Sequence, residues 1–571
     1  MARTVGIGVQ DYGKLITDNL FYIDKTHFIK EWWESGDSVT LITRPRRFGK
    51  TLNLNMLDYF FSNKNSGRSD LFEVFSIWRE EKYRQIQGTY PVISLSFANV
   101  KETTYEATKK KIYQVLVDLY IDNRFLIEEG CLTETEADYF RSINMNMEEH
   151  EATLALHKLC KYLYDYYGKK VILLLDEYDT PMQEAYVNGF WKEIVAFTRS
   201  MFNATFKTNP YLERGLMTGI TRVSRESIFS DLNHLKVVTT TSDEYATSFG
   251  FTEEEVFAAL DECGLEDQKE CVKTWYDGFT FGEHRDIYNP WSVLNFLSTG
   301  KLDIYWANSS GNRLVGKLIQ EGGKNIKTTF EKLLKDEVIY CPIDEQIVYD
   351  QLGKRESAIW SLLVASGYLK VVSRESIVES DDAEYPMYEL TLTNREVKRM
   401  FFIMVNNWFG RTEDSYGEFI DALLKGDLES MNAYMNDVTM EIFSYFDAGS
   451  KNVRSASEKF YHDFVLGLIV QLKNKYYITS NRESGLGRYD VMLEPKTEEN
   501  DALIIEFKVF NEKKEKTLED TVEAALQQIE EKQYEAALIS RGISKERIRK
   551  YGFAFEGKNV LIGEEGNLGN E

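Results

Sequence analysis

The chain has 571 residues, with 68 basic and 92 acidic side chains and a formal net charge of −24. At about 150 residues per domain, that length predicts three or four domains, and 43% hydrophobic with 13% aromatic residues excludes a disordered chain. The acidic balance excludes a protein that coats nucleic acid nonspecifically, but not a nucleic-acid enzyme with a local basic cleft.

The N-terminus has no apolar run behind a basic start, so no secretory leader is expected. Residues 38–43 (SVTLIT) read as a short apolar strand running into Arg-Pro-Arg-Arg-Phe-Gly-Lys-Thr, and 52–61 read as a helix. Residues 91–97 (PVISLSF) are a second strand, followed by helical stretches over 105–129 and 151–167. Residues 171–175 are a fully apolar strand ending in Asp176-Glu177, with a helix over 190–206 and a strand over 215–220 behind it. This alternation predicts an α/β domain over residues 1–240, a parallel sheet flanked by helices. Residues 241–450 read as mostly helical, with aromatic-rich connectors such as Trp275-Tyr276-Asp277-Gly278-Phe279 and Tyr288-Asn289-Pro290-Trp291. A strand is expected at 388–393, and no chemistry is concentrated in this region. Residues 451–571 read as a final α/β unit. It has an apolar helix over 460–476, a hairpin of 489–494 and 502–509, a helix over 518–533 and a strand over 536–539. The longest apolar runs, such as 171–175 and 464–470, fall far short of the ~20 residues of a membrane helix. Five scattered cysteines without a close CxxC pair predict neither a disulfide framework nor a zinc site, and fit a cytoplasmic protein.

Two constellations carry chemistry. In the first, Gly49-Lys50-Thr51 matches the end of the phosphate-loop pattern GxxxxGK[ST], with Arg44 where its first glycine would stand. In such a loop, backbone N–H groups curl round phosphate at a helix N-terminus. Lys50 would meet the β- and γ-phosphates, and the Thr51 hydroxyl would bind Mg²⁺. Arg46, Arg47 and Phe48 complete the candidate nucleotide-binding loop, the arginines adding charge toward phosphate. A basic turn with Thr51 as a helix N-cap is the plainer alternative. Asp176, at the end of its apolar strand, is placed to hold Mg²⁺, and Glu177 to polarise an attacking water. An acidic pair at a helix N-terminus is the alternative there. Thr218 and Arg222, after the next strand, read equally as γ-phosphate sensors or as ordinary loop residues.

In the second constellation, Glu506 and Lys508 share one face of an apolar strand while Phe507 points to the other. Burying two ionisable groups there is costly unless they are paired or bind metal. Asp490 on the neighbouring strand would meet Glu506 across the hairpin, giving a hard oxygen site for Mg²⁺ or Mn²⁺. Lys508 would position the attacking water or stabilise developing charge. A Glu506–Lys508 surface pair is the alternative for the string alone.

The run Phe21-Tyr22-Ile23-Asp24-Lys25-Thr26, the RPRRFGKT loop, the LLLDEYD strand and GLMTGITRVSRESIFSDLNHL resemble the AAA-ATPase-like family. That is a bacterial P-loop group commonly joined to a PD-(D/E)xK nuclease-like module. The resemblance covers roughly the first 230 residues and implies that Tyr22 and Asp24-Lys25-Thr26 line an adenine pocket. Residues 455–563 resemble the nuclease-like module of the same family, with a restriction-endonuclease-like fold. The matching features are EKFYH at 458–462, SNRESGLGRYDVML, IIEFK, and ALQQI with Tyr534. This resemblance implies Asp490, Glu506 and Lys508 as active-site residues, with Glu458 and Gln528 supporting them. His462 shares a helical face with Glu458, and a core or helix-surface histidine is the preferred reading over a functional one.

The expectation is an ATP-binding, metal-dependent nuclease, with Mg²⁺ at both sites and Mn²⁺ as a substitute at the second. Its substrate is nucleic acid, DNA before RNA, with no membrane partner and a homo-oligomer compatible with the parts. The other expectation is a nucleotide switch whose nuclease-like module binds nucleic acid or a protein without cutting.

Overall fold

The computed structural model describes residues 3–222, 229, 232, 234–307, 313–320, 324–334, 336–344, 352, 355–375, 387–409, 413–443, 465, 469, 472, 474–484, 487–497, 500–511, 514–556 and 559–567. The chain divides into two compact units, Met1–Phe402 and Ile403–Glu571. The boundary falls inside the helix Arg395–Phe409.

The first unit is built on a five-stranded sheet: β1 (Val39–Thr43), β2 (Val92–Ser96), β3 (Val171–Asp176), β4 (Leu212–Gly219) and β5 (Leu235–Val238). Its order is β2-β3-β4-β1-β5 and every pairing is parallel. All residues of β1 and β3 are buried, as expected for strands covered on both faces. The order inserts β4 between the strand that feeds the RPRRFGKT loop and the strand that ends in Asp176. Register pairs Thr43 with Gly219, so the three strands end together and their loops converge.

Residues beyond this sheet are less uniformly helical than the sequence predicts. They add two small antiparallel sheets, one of β6 (Phe251–Thr252), β7 (Phe279–Phe281) and β8 (His284–Tyr288). The other joins β9 (Ile339–Pro342), β10 (Leu369–Glu375) and β11 (Met387–Leu392). The expected strand at 388–393 corresponds to β11.

The second unit carries a sheet of β12 (Tyr476–Ser484), β13 (Gly487–Pro495), β14 (Ala502–Val509), β15 (Ile548–Glu556) and β16 (Asn559–Glu564) in sequential order. Only β14 and β15 run parallel. The predicted strand over 536–539 is instead a short helix, Ala536–Ser540, and the strand paired with β14 is β15. Most of the predicted helix at 460–476 lies outside the described residues, and Tyr476 opens β12. Helix Leu428–Phe443 covers the β16 edge. The side-chain amides of Asn432 and Asn436 exchange hydrogen bonds of 2.7–2.9 Å with the backbones of Ile562 and Val560, satisfying strand groups that would otherwise lack partners. Among the described residues no helix is long and apolar enough to cross a membrane.

Candidate nucleotide and nuclease sites

The loop between β1 and helix Lys50–Phe61 turns through two left-handed residues, Arg47 at φ +65° and Gly49 at φ +82°. A Cβ on Gly49 would meet no atom within 4 Å, so the backbone angle, not crowding, favours glycine there. Lys50 is buried, and its Nζ donates to the carbonyls of Arg44 and Pro45 at 2.9 and 2.8 Å. Burial lowers its pKa, opposed by the nearby Glu177 and Asp176 carboxylates. The Thr51 hydroxyl donates to Asp176 Oδ2 at 2.6 Å, and the Thr218 hydroxyl to Oδ1 at 2.5 Å. Asp176 thus joins the end of β3 to β4 and to the first turn of the helix Lys50–Phe61, although burial still raises its pKa. Glu177 sits at φ +49° and accepts from the Thr180 hydroxyl at 3.1 Å.

Beside this centre lies a carboxylate to which the sequence reading gave no role. Asp179 has no solvent access, and its Oδ2 accepts from the amides of Ile220 and Thr221, the Thr221 hydroxyl and Gln183 Nε2. Gln183 Oε1 in turn accepts from Arg46 at 3.1 Å. Arg46, Gln183, Thr221, Trp306 and Tyr368 are among the residues around an opening of about 470 Å³ next to the loop.

Residues 279–306, expected to hold no concentrated chemistry, grip the loop from outside. The Trp306 indole N–H donates to the Arg46 carbonyl at 2.9 Å, and Asn289 Nδ2 donates to the same oxygen at 3.4 Å. The Arg47 guanidinium lies 4.3 Å from the centre of the Trp291 ring. Phe48 packs edge-on against Phe279 and Phe281 at 4.7 and 5.5 Å. Trp306 is held by Glu396, a fully buried carboxylate that accepts from the amides of Tyr305, Trp306 and Ala307 and from the Ser292 hydroxyl. Phe279, Asn289 and Trp291 do stand in the aromatic-rich connectors, the sequence signal for this arrangement.

Arg44, standing where the loop pattern has its first glycine, has no solvent access and donates to the carbonyls of Thr43, Thr239 and Glu244. Its guanidinium lies over Phe281, and burial pulls its pKa down to about 9. The Phe48 side chain is turned into the aromatic packing, leaving only its backbone to a ligand. Tyr22 is a core residue packed against Tyr12 and Phe75. Lys25 is ion-paired with Glu255 at 2.7 Å, and Asp24 caps Thr26 and Ser76. These contacts pack and pair the residues within the first unit.

In the second unit, β13 and β14 pair antiparallel through Val491–Ile505, Met492–Ile504 and Leu493–Leu503. One step beyond the last pair, Asp490 stands opposite Glu506, and its Oδ2 accepts the Phe507 amide at 2.9 Å. Phe507 points into the core with Phe553 and Phe555, as alternation predicts. Glu506 is 3% exposed. Helix Leu518–Glu531, opened by a Thr517–Asp520 capping box, crosses β15 at Gly552. A Cβ on Gly552 would lie 2.8 Å from the Val522 carbonyl, so the glycine permits that approach. The approach delivers Gln528, whose Oε1 accepts from Lys508 Nζ at 2.7 Å while its Nε2 donates to Glu506 Oε1 and to the Tyr534 hydroxyl. Asp490, Glu506, Lys508 and Gln528 therefore gather at one place. Glu458 and His462 lie outside the described residues.

Comparison with known proteins gives two family matches. Residues 6–229 match the family described as predicted AAA-ATPase, and residues 456–565 match the PD-(D/E)XK nuclease superfamily. The chain is 24% identical over 401 residues to an uncharacterized protein in the vnfD 5′ region of Azotobacter chroococcum mcd 1, a stretch covering 69% of this chain and 68% of that one. A solved structure of the Aeropyrum pernix ORC2 protein, in ADPNP–ADP complexes, aligns with 67% of this chain and 93% of its own at 10% identity and a TM-score of 0.23.

Proposed function

We propose that this chain, which joins an AAA-ATPase-like region to a PD-(D/E)XK nuclease-superfamily region, binds ATP and cuts nucleic acid with a divalent metal. The carrying observation is the Gln528 amide, which ties Lys508 to Glu506 on one face of β14 with Asp490 opposite. Two carboxylates meeting at the end of a strand pair, with a lysine beside them, supply oxygen donors that fit Mg²⁺ or Mn²⁺. When bound, such a cation polarises the scissile phosphate and makes water a better nucleophile.

The chain's own residues do the rest. Lys508, held by Gln528, stabilises charge developing on phosphate. The buried setting of Glu506 keeps bulk water from screening it. In the first unit, Lys50 leaves its loop carbonyls for the nucleotide phosphates, and the Thr51–Asp176 pair offers hydroxyl and carboxylate oxygens that fit Mg²⁺. Glu177 orients the attacking water for hydrolysis. Nucleotide state then controls cutting, with DNA the favoured substrate.

Purified protein incubated with duplex DNA, single-stranded DNA and RNA, in Mg²⁺ or Mn²⁺ and with or without ATP, tests this reading. Glu506→Ala serves as the control for contaminating nuclease. Cleavage that vanishes in the variant supports it. Absence of cleavage under every condition would replace it with a nucleotide switch whose second unit binds without cutting.

A further inference from the structure

The hairpin that covers Phe48 is flanked by acids that nucleotide binding and cleavage do not use. Asp277 immediately precedes Gly278 and β7, Asp286 lies in β8, and Glu253 opens the helix Glu253–Glu262. One carboxylate oxygen from each lies within 4.8 Å of the other two. Carboxylates so close repel one another unless a proton or cation joins them. Asp277 is 8% exposed, and its Oδ1 accepts no hydrogen bond. A buried carboxylate oxygen left in that state is costly.

Two ammonium groups are near: Lys370, 3.1 Å from where a Cβ on Gly278 would stand, and Lys273. The Lys273 ammonium pairs with Glu253 and stands 4.0 Å from Asp286. The Tyr288 hydroxyl also donates to Glu253, at 3.2 Å. The Lys273 side chain is 37% exposed at the end of helix Lys269–Tyr276, so it can swing into solvent without opening the core.

We propose that Glu253, Asp277 and Asp286 form a binding site for a divalent metal cation, with the Lys273 ammonium as the group the cation displaces. An all-carboxylate set selects a hard ion, Mg²⁺ or Ca²⁺, over zinc. The site is placed to matter for the phosphate loop, because Phe279 and Phe281, lying between the two aspartates in sequence, are the rings packed on Phe48. A bound cation ties that hairpin to helix Glu253–Glu262. The inference does not depend on the proposed nuclease or nucleotide activity and stands or falls separately from them.

Terbium is a suitable probe, since it occupies calcium-type oxygen sites and is sensitised by a nearby tyrosine, here Tyr288. Full-length protein carrying Glu506→Ala, to weaken the candidate nuclease metal site, is titrated with Tb³⁺ in nucleotide-free buffer. Saturable emission displaced by Ca²⁺ or Mg²⁺ is expected. Adding Asp286→Asn, at a partly exposed position, should weaken Tb³⁺ binding about tenfold or more, whereas adding Lys273→Gln should tighten it. Partial unfolding cannot move the two variants in opposite directions. Emission that does not saturate, or is unchanged by Asp286→Asn, overturns the site. So does a Lys273→Gln variant that melts earlier without binding Tb³⁺ more tightly, which would make the lysine the permanent partner of these acids.

Discussion

Glu396 has no contact with solvent, yet three amides and one hydroxyl converge on its carboxylate. Burial outweighs those hydrogen bonds and lifts its pKa from 4.5 to about 7. A carboxyl raised in the folded state contributes stability that is complete below its unfolded pKa and is lost as pH rises through the folded value. The window for Glu396 therefore runs from 4.5 to about 7. Glutamine retains an oxygen for the Trp306 and Tyr305 amides but does not ionise. Thermal melts of wild type and Glu396→Gln at about pH 5 and pH 8 should show the variant gaining relative to wild type at the higher pH. An equal difference at both would mean that Glu396 does not titrate in this window. At the second site, Gln528→Ala frees Lys508 and Glu506 from their shared amide. Cleavage should fall about 10- to 100-fold, the usual cost of losing a group that orients a metal ligand, while the melting temperature changes little at this half-buried position. Initial rates at saturating Mg²⁺ measure it.

The elements around the loop differ in how legible they were. β1, β3 and β14 announce themselves because each is an apolar run ending in chemistry, and β4 through its buried half Gly215–Gly219. Asp176, Thr218, Glu506 and Lys508 therefore lie close to where strand reading expects them. The four apolar residues at 536–539 fit a strand or a buried helix equally, and the structure makes them helical; β15 was harder to see because it carries Lys550 in mid-strand. The short helices Glu134–Ser142 and Thr180–Asn188 offer too few turns for periodicity to show. The grip on the loop was invisible for another reason: Trp306 and Arg46 are 260 residues apart, and no local pattern encodes such a contact. Trp306→Phe keeps a ring against Phe279 and Tyr368 but removes the N–H donated to the Arg46 carbonyl. Losing that donor should cost about 1 kcal/mol of loop ordering, hence roughly fivefold in nucleotide affinity. Fluorescent-nucleotide titration detects the change, and unchanged affinity would reduce Trp306 to packing. Gly219 probes the converging strand ends. A Cβ there would lie 2.6 Å from the Tyr178 ring and 2.7 Å from Asp179 Oδ1. Gly219→Ala should destabilise the protein by about 1–3 kcal/mol through overpacking, read from the midpoint of denaturant unfolding.

For the whole molecule, the question is whether two sites in two compact units serve one activity. The segment that grips the phosphate loop is organised by Glu396, and Glu396 stands on the helix Arg395–Phe409, within which the first unit gives way to the second. Exchanging the lesions separates the parts. Lys50→Ala should remove the response of cleavage to ATP while leaving ATP-free cleavage within about twofold, because the β13–β14 acids are untouched. Glu506→Ala should abolish cleavage while ATP affinity stays within about twofold. Cleavage of labelled DNA and nucleotide titration on the same preparations read both arms. If Lys50→Ala cuts with the full ATP response, nucleotide acts elsewhere than the loop. If wild type cuts identically with and without ATP, the two units share a chain but not a function, and the grip of Trp306 on the loop serves the first unit alone.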